Sequence, residues 1–303
     1  MNTDRTAALA KQMASHRAAL PALFAGAVAI AFAPIFVRLS QVGPSATAFW
    51  RLALALPFLW LATRYTSPGA KSAPQPTSLS DYLGLAAAGL LFAGDLAFWH
   101  WSIRLTTVAN ATLLANFAPV FVTLGGWLFF RQRVSPAFLL GMAIALAGTT
   151  VLVGVSFSLS SRHLLGDGLG LITAVFYGGY ILAVSRLRQH FSTATIMAWS
   201  GTVTAAALLP IALLSGEGLL PFDIRGWLVL LGLALISHAG GQGLIAFALA
   251  HLPAAFSSVS LLVQPVLATV FAWLLLSEAL SPIQALGGAL VLAGIFLARQ
   301  ASR

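Results

Sequence analysis

Residues 107–148, TVANATLLANFAPVFVTLGGWLFFRQRVSPAFLLGMAIALAG, and residues 253–294, PAAFSSVSLLVQPVLATVFAWLLLSEALSPIQALGGALVLAG, read as two copies of one unit. They align without a gap at a constant offset of 146, and about a third of the paired positions are identical. Abundant Ala and Leu inflate such a figure, so the rarer matches carry the argument. Pro119 meets Pro265, Trp127 meets Trp273, and Ser135-Pro136 meets Ser281-Pro282. Gly141 with Ala147-Gly148 meets Gly287 with Ala293-Gly294. Each copy is a pair of apolar runs joined by a polar turn, and an internal repeat of this size constrains the architecture before any single residue is interpreted.

Outward from the repeat, apolar runs continue along nearly the whole chain. Of its 303 residues 59% are hydrophobic and 8% charged, with a mean hydropathy of +0.92. A soluble domain carries about 25% charged residues to cover a water-facing surface, so most of this surface faces lipid. A span needs about 20 apolar residues to cross roughly 30 Å of hydrocarbon. Runs of that size fall near 20–38, 45–63, 82–103, 107–130, 136–155, 168–185, 193–214, 226–250, 254–276 and 281–298. Turn-forming residues separate them: Gly43-Pro44, Pro68-Gly69, Ser135-Pro136, Gly166-Asp167-Gly168, Ser215-Gly216 and Ser281-Pro282. The Ser-, Pro- and Ala-rich residues 64–80 form the longest loop of the first half, and Ser80-Asp81 reads as the N-cap of the third span. The first apolar run is longer than a signal-peptide core and is followed by many more, so it counts as a span.

Charge distribution checks the count and sets the orientation. With the N-terminus cytoplasmic, the inner segments hold Arg5, Lys11, Arg17, Arg64, Lys71, Arg131, Arg133, Arg186, Arg188, Arg299 and Arg303, while Arg38, Arg104, Arg162 and Arg225 lie outside and Arg51 lies within a span. This is the bias of the positive-inside rule, and one missed span would invert every later loop. Scattered singly between apolar runs, the basic residues behind the net charge of +9 form no nucleic-acid patch. Two lysines against fourteen arginines, with much Ala, Leu and Gly, point to a bacterial GC-rich genome. The expected location is a bacterial inner membrane, multi-pass, with both termini cytoplasmic.

Spans 4–5 correspond to spans 9–10, so the duplicated unit has five spans, residues 1–157 forming one half and 158–303 the other. Five is odd, and the second copy enters the membrane from the opposite side. The fold class is an all-α membrane protein of ten transmembrane helices arranged as an inverted 5+5 repeat. Such repeats build alternating-access carriers with a solute site near the midplane between the halves.

Phe49-Trp50-Arg51-Leu52 in span 2 and the span 4–5 unit, with its mid-helix proline, Trp-Leu segment, polar turn and late Ala-Gly, resemble the drug/metabolite transporter superfamily, EamA-type branch. Gln264-Pro265 and Ser277-Glu278-Ala279-Leu280 extend the resemblance into the second copy, whereas Gln132 stands where the first copy of the family pattern has a glutamate. The resemblance implies ten spans, with helices 1, 3, 4, 6, 8 and 9 around a central cavity, and export of amino acids or related metabolites.

Polar groups are costly in lipid and face the bundle interior or a water-filled path. Helical spacing groups them into stripes: Asp95, Trp99 and Ser102 in span 3; Thr112 and Asn116 in span 4; Thr173, Tyr177 and Tyr180 in span 6; His238 and Gln242 in span 8; Ser257, Ser260 and Gln264 in span 9. These thirteen residues are the expected substrate pathway. Asp95 is the one carboxylate deep in a span; it either relays a proton or cation, contacts a substrate ammonium, or pairs with Arg51 at equal depth on the preceding helix. His238 either binds solute or ties two helices together. Pro119 and Pro265 leave a carbonyl one turn earlier without its donor and are the expected bending points. Trp127, Trp227 and Trp273 fit interface anchors, and the paired glycines close helix contacts.

The absence of cysteine excludes disulfides and thiolate metal sites, and no metal-ligand cluster or cofactor motif is present. An intramembrane aspartyl enzyme needs two acids, and Asp95 has no second; a passive channel needs rings of like residues or a filter. The remaining reading is a non-enzymatic secondary transporter for small organic solutes, neutral or aromatic amino acids or related metabolites foremost, moved outward as the resemblance implies, with lipid as its surroundings and neither nucleic acid nor an obligate protein as partner.

Overall fold

A computed structural model describes residues 2–65, 75–106, 108–154, 161–276 and 280–302, and among these there is no strand. Ten helices in the described residues are long and apolar enough to cross a bilayer: α1 (Arg17–Leu39), α2 (Pro44–Arg64), α3 (Leu79–Leu105), α4 (Asn110–Phe130), α5 (Pro136–Val153), α6 (His163–Leu187), α7 (Thr193–Leu214), α8 (Ile224–Ala248), α9 (Ala254–Phe271) and α10 (Pro282–Ala301). Lys71, the Pro68-Gly69 turn, Glu278 and the point of division at residue 157 lie outside the described residues.

The helix starts follow local chemistry. Ser135 and Ser281 cap α5 and α10 through the same Ser-Pro sequence, with the hydroxyls accepting from Phe138 N at 3.2 Å and Gln284 N at 3.2 Å. The cap of α3 is Ser78, two residues before the Ser80 expected from sequence. Asp81 reaches back to the backbone N–H groups of Thr77 and Ser78 and closes a capping box there.

Four spans are broken, each just before a proline that starts the next helical segment: α1 at Phe32 before Pro34, α2 at 54–55 before Pro57, α4 at 116–117 before Pro119, and α9 at 261–262 before Pro265. In α8 no proline is present, and residues Leu233–Gln242 widen into a π-helix instead.

Outward-facing side chains are large and apolar, among them Leu128, Phe129, Leu214 and Phe296, each more than half exposed. A soluble monomer does not carry such a belt; lipid covers it. Trp127 and Trp273 are exposed near the ends of α4 and α9 as anchors would be, whereas Trp227 packs edge-on against Trp50 at 4.9 Å between ring centres.

The halves meet most closely along α5 and α10. A Cβ on Gly141 would stand 2.8 Å from Gly294 O, and one on Gly148 would stand 2.8 Å from Gly287 O. Gly141 and Gly148 are the repeat equivalents of Gly287 and Gly294, so each glycine touches the copy of the other. That is the self-complementary contact a two-fold axis produces, and it relates the two halves as inverted copies. Small residues allow this backbone approach where lipid supplies no hydrophobic drive for association.

Gly148→Ala and Gly287→Ala therefore push carbon into opposing backbone and are expected to destabilise the fold by about 1–3 kcal/mol. The readout is a lower melting temperature in detergent, with Gly168→Ala, whose added carbon meets nothing within 4 Å, unchanged.

Candidate functional site

A cavity of about 200 Å³ lies between the halves. At ~10–15 Å³ per enclosed water, it has room for on the order of a dozen waters or for a small organic solute. Its walls come from α1, α3, α4, α6, α8 and α9, the six helices expected, together with Arg51 from α2. No lining residue comes from α5, α7 or α10. Pro34 and Val37 are late in α1, Thr112 and Asn116 early in α4, and Thr173 in the first half of α6, so the cavity reaches into the half of the bundle away from the termini.

Eight of the thirteen expected pathway residues line it: Asp95, Trp99, Thr112, Asn116, Thr173, Tyr177, Gln242 and Gln264, and so do Pro119 and Pro265. Ile30, Ala115 and Leu261 stand one turn before Pro34, Pro119 and Pro265, and all three line the cavity. These are the residues whose carbonyls the prolines cannot serve. Asn116 Nδ2, at the α4 break, donates back to Thr112 O at 2.9 Å, while Gln264 Nε2 is buried without a partner. Gln242 neighbours the hydroxyls of Tyr177 and Tyr180.

The other five residues are elsewhere. Ser102 is a fastener, its hydroxyl donating to Gly166 O of α6 at 2.7 Å. Tyr180 is buried, stacked on Phe92 at 4.6 Å, with its hydroxyl 3.9 Å from Met197 Sδ of α7. His238 is buried behind Phe92, whose ring it stacks on at 5.6 Å, and both its ring nitrogens lack partners. Ser257 is buried with an unpartnered hydroxyl, and Ser260 bonds back to Phe256 O at 2.9 Å within its own helix. The neighbouring Ser258 lines the cavity instead. The α1 contribution, Phe92 and Ser258 were not singled out by spacing, because α1 offers no polar stripe and Phe92 is apolar.

The ion pair between Arg51 and Asp95, one of the alternatives for Asp95, is not formed as a contact. Both line the cavity, but no bond of 4.0 Å or less joins them. The Arg51 guanidinium lies 6.0 Å from the centre of the Phe92 ring.

Both ends of the bundle are clasped. On the face away from the termini, Glu217 accepts from Ser45 N at 2.8 Å and from Arg104 at 3.2 Å, and Trp50 Nε1 donates to Leu219 O at 2.7 Å. Beside them Gln41 Nε2 donates to Asp223 at 2.9 Å; the Gly226 N–H and this amide hold the Asp223 carboxyl below the ordinary carboxylate range. These bonds bind the α7–α8 loop to the α1–α2 loop, α2 and α3. On the terminal face Arg186 stacks over Phe130 at 3.8 Å, and Arg188 donates to Ala246 O at 3.1 Å and to Phe191 O. There α6 is tied to the ends of α4 and α8.

The EamA-like transporter family matches residues 17–154 and 164–300, one match in each half. The chain belongs to this family. EamA-like proteins are multi-pass membrane transporters of small molecules, not enzymes. A relative from Streptantibioticus cattleyicolor, named "Probable terminal-alkyne amino-acid exporter", is 30% identical over 275 residues, covering 89% of this chain and 88% of its own length. The pseudopaline exporter CntI of Pseudomonas aeruginosa is 28% identical over 207 residues, covering 68% of this chain and 71% of its own. A solved crystal structure superposes with a TM-score of 0.81 over 95% of this chain and 98% of that one, at 20% identity, and so shares the fold.

The natural absence of cysteine allows a direct test of the cavity. Thr112→Cys, Asn116→Cys and Thr173→Cys are expected to react with a small hydrophilic thiosulfonate at least tenfold faster than Ser102→Cys and Ser257→Cys. Equal protection of all five would contradict the lining described.

Proposed function

We propose that this EamA-family protein is a secondary transporter that exports small organic solutes, neutral or aromatic amino acids and related metabolites foremost, by alternating access. One observation carries the reading: a small cavity, mostly apolar but with a few charged and amide groups, is walled by both inverted halves at once. Ligand sites have this make-up, apolar walls with a few placed polar groups. A rocking motion of one half against the other would expose such a cavity to each face in turn. The name of the Streptantibioticus cattleyicolor relative favours amino acids, and the names of both relatives favour outward movement. The cavity holds one cation, Arg51, and no lysine; phosphorylated solutes call for several basic groups.

In this reading the protein resides in a bacterial inner membrane with both termini cytoplasmic, as its charge bias suggests, and the cavity reaches toward the periplasmic side. The halves are residues 1–157 and 158–303. Pro119 and Pro265, at equivalent breaks in α4 and α9, are the bending points. No protein partner is needed.

Purified protein in liposomes should give saturable counterflow with members of a panel of amino acids and small metabolites. Linear, unsaturable flux would mean a channel. Pro119→Ala with Pro265→Ala should slow exchange at least tenfold while leaving a monodisperse protein; unchanged exchange would remove the hinge role.

A further inference from the structure

Arg51 and Asp95 are the two charged residues on the cavity wall, and neither has found a partner. Arg51 Nε is buried without a hydrogen bond, and the rest of its guanidinium makes none among the described residues. The Asp95 carboxylate accepts none there either, although the two charges are near enough to act on each other. Phe92, beneath Arg51 at 6.0 Å, is at the limit of a cation–π contact. Charged groups within a span are expensive and pair with one another or with polar neighbours. Two opposite charges held apart over one small void satisfy neither demand.

We propose that Arg51 and Asp95 form a split clamp for the zwitterionic head of an α-amino acid, Arg51 taking the carboxylate and Asp95 the ammonium. This deepens, and rests on, the transport reading above. The guanidinium fork matches a carboxylate and accepts it bidentately. A carboxylate with no donors of its own takes an ammonium. The unpartnered Nε2 of Gln264, on α9 of the second half, adds a donor to the same cavity. A solute with an ammonium and a carboxylate on one carbon neutralises both charges of the wall together. A solute with one charge leaves the other buried and unpaired, and sites built around hydrogen-bonding groups reject such analogues strongly for that reason. Pro34, Val37, Leu261 and Ala268 leave an apolar space for the side chain.

The test is competition against radiolabelled leucine and phenylalanine counterflow in liposomes containing the full chain. The competitors are the same two amino acids, their amides, their N-acetyl forms and the matching amines. The clamp predicts that removing either charge weakens competition at least tenfold in the unaltered protein, a result that requires no variant to fold. Asp95→Asn should then lose its discrimination against the N-acetyl forms, and Arg51→Gln its discrimination against the amides and amines. Singly charged analogues that compete as well as the zwitterions would overturn the clamp and leave the carrier standing. So would exchange of other metabolites with neither amino acid accepted. Absence of saturable exchange for every solute in the wider panel would sink both.

Discussion

Hydrocarbon offers nothing to a backbone carbonyl that has lost its donor, so a spanning helix can break only where protein or enclosed water takes over. The positions of the breaks follow this constraint. The spans interrupted at a proline, α1, α2, α4 and α9, all line the cavity, as does the π-widened α8, while α5, α7 and α10, which do not line it, run unbroken. Proline alone does not dictate a break, since Pro21 and Pro210 lie inside continuous helices. What distinguishes Pro34, Pro119 and Pro265 is that the residues one turn earlier face a void able to hold water or solute. The same disruption that makes the bundle hollow also supplies that hollow with backbone acceptors.

The two-fold contact of α5 with α10 has the opposite character. Four glycines bring backbone against backbone with no room for a methyl group, and interfaces packed this tightly transmit displacement rather than absorb it. Broken helices around the cavity and a close-packed seam beside it give the bundle one deformable region and one stiff one. The clasps at the two faces differ as well. One is built of hydrogen bonds accepted by Glu217 and donated by Trp50 and Gln41, the other of Arg186 over Phe130 and Arg188 on backbone carbonyls. The halves share a fold without sharing their fastenings.

Span count and inversion were legible in the sequence because each rests on many residues: apolar run lengths, charge bias, and matched Pro, Trp and Gly at one offset. Polar stripes marked five of the six cavity helices, and α1 was added only by the family resemblance. The site was legible where helices are regular. In α3 the spacing of Asp95 and Trp99 holds, and both line the cavity. In α8 it fails, because a π-helix turns through more residues than an α-helix, so Gln242 reaches the void while His238, four residues earlier, packs behind Phe92. In α9 the break at 261–262 shifts the phase between the segments, and Ser258, not Ser257, shares the void with Gln264. A periodicity argument assumes one continuous helix, and it loses its footing at the irregularities on which a cavity depends.

The distribution of charge across the repeat carries a final consequence. Both charged lining residues, Arg51 on α2 and Asp95 on α3, belong to the first half, while the second half contributes neutral groups: Thr173, Tyr177, Gln242, Ser258 and Gln264. A clamp whose two poles belong to one half keeps its spacing when that half moves as a unit, so a solute head held there would stay bound through the change of access. The neutral wall opposite would slide past the solute, exchanging hydrogen bonds without exchanging charge. Had the poles been divided between the halves, each rocking step would have to separate or compress two opposite charges in a medium of low dielectric, where such work is large. Placing both poles on one copy of a duplicated fold avoids that barrier, and it gives a physical reason why inverted copies with the same architecture carry different residues at their shared site.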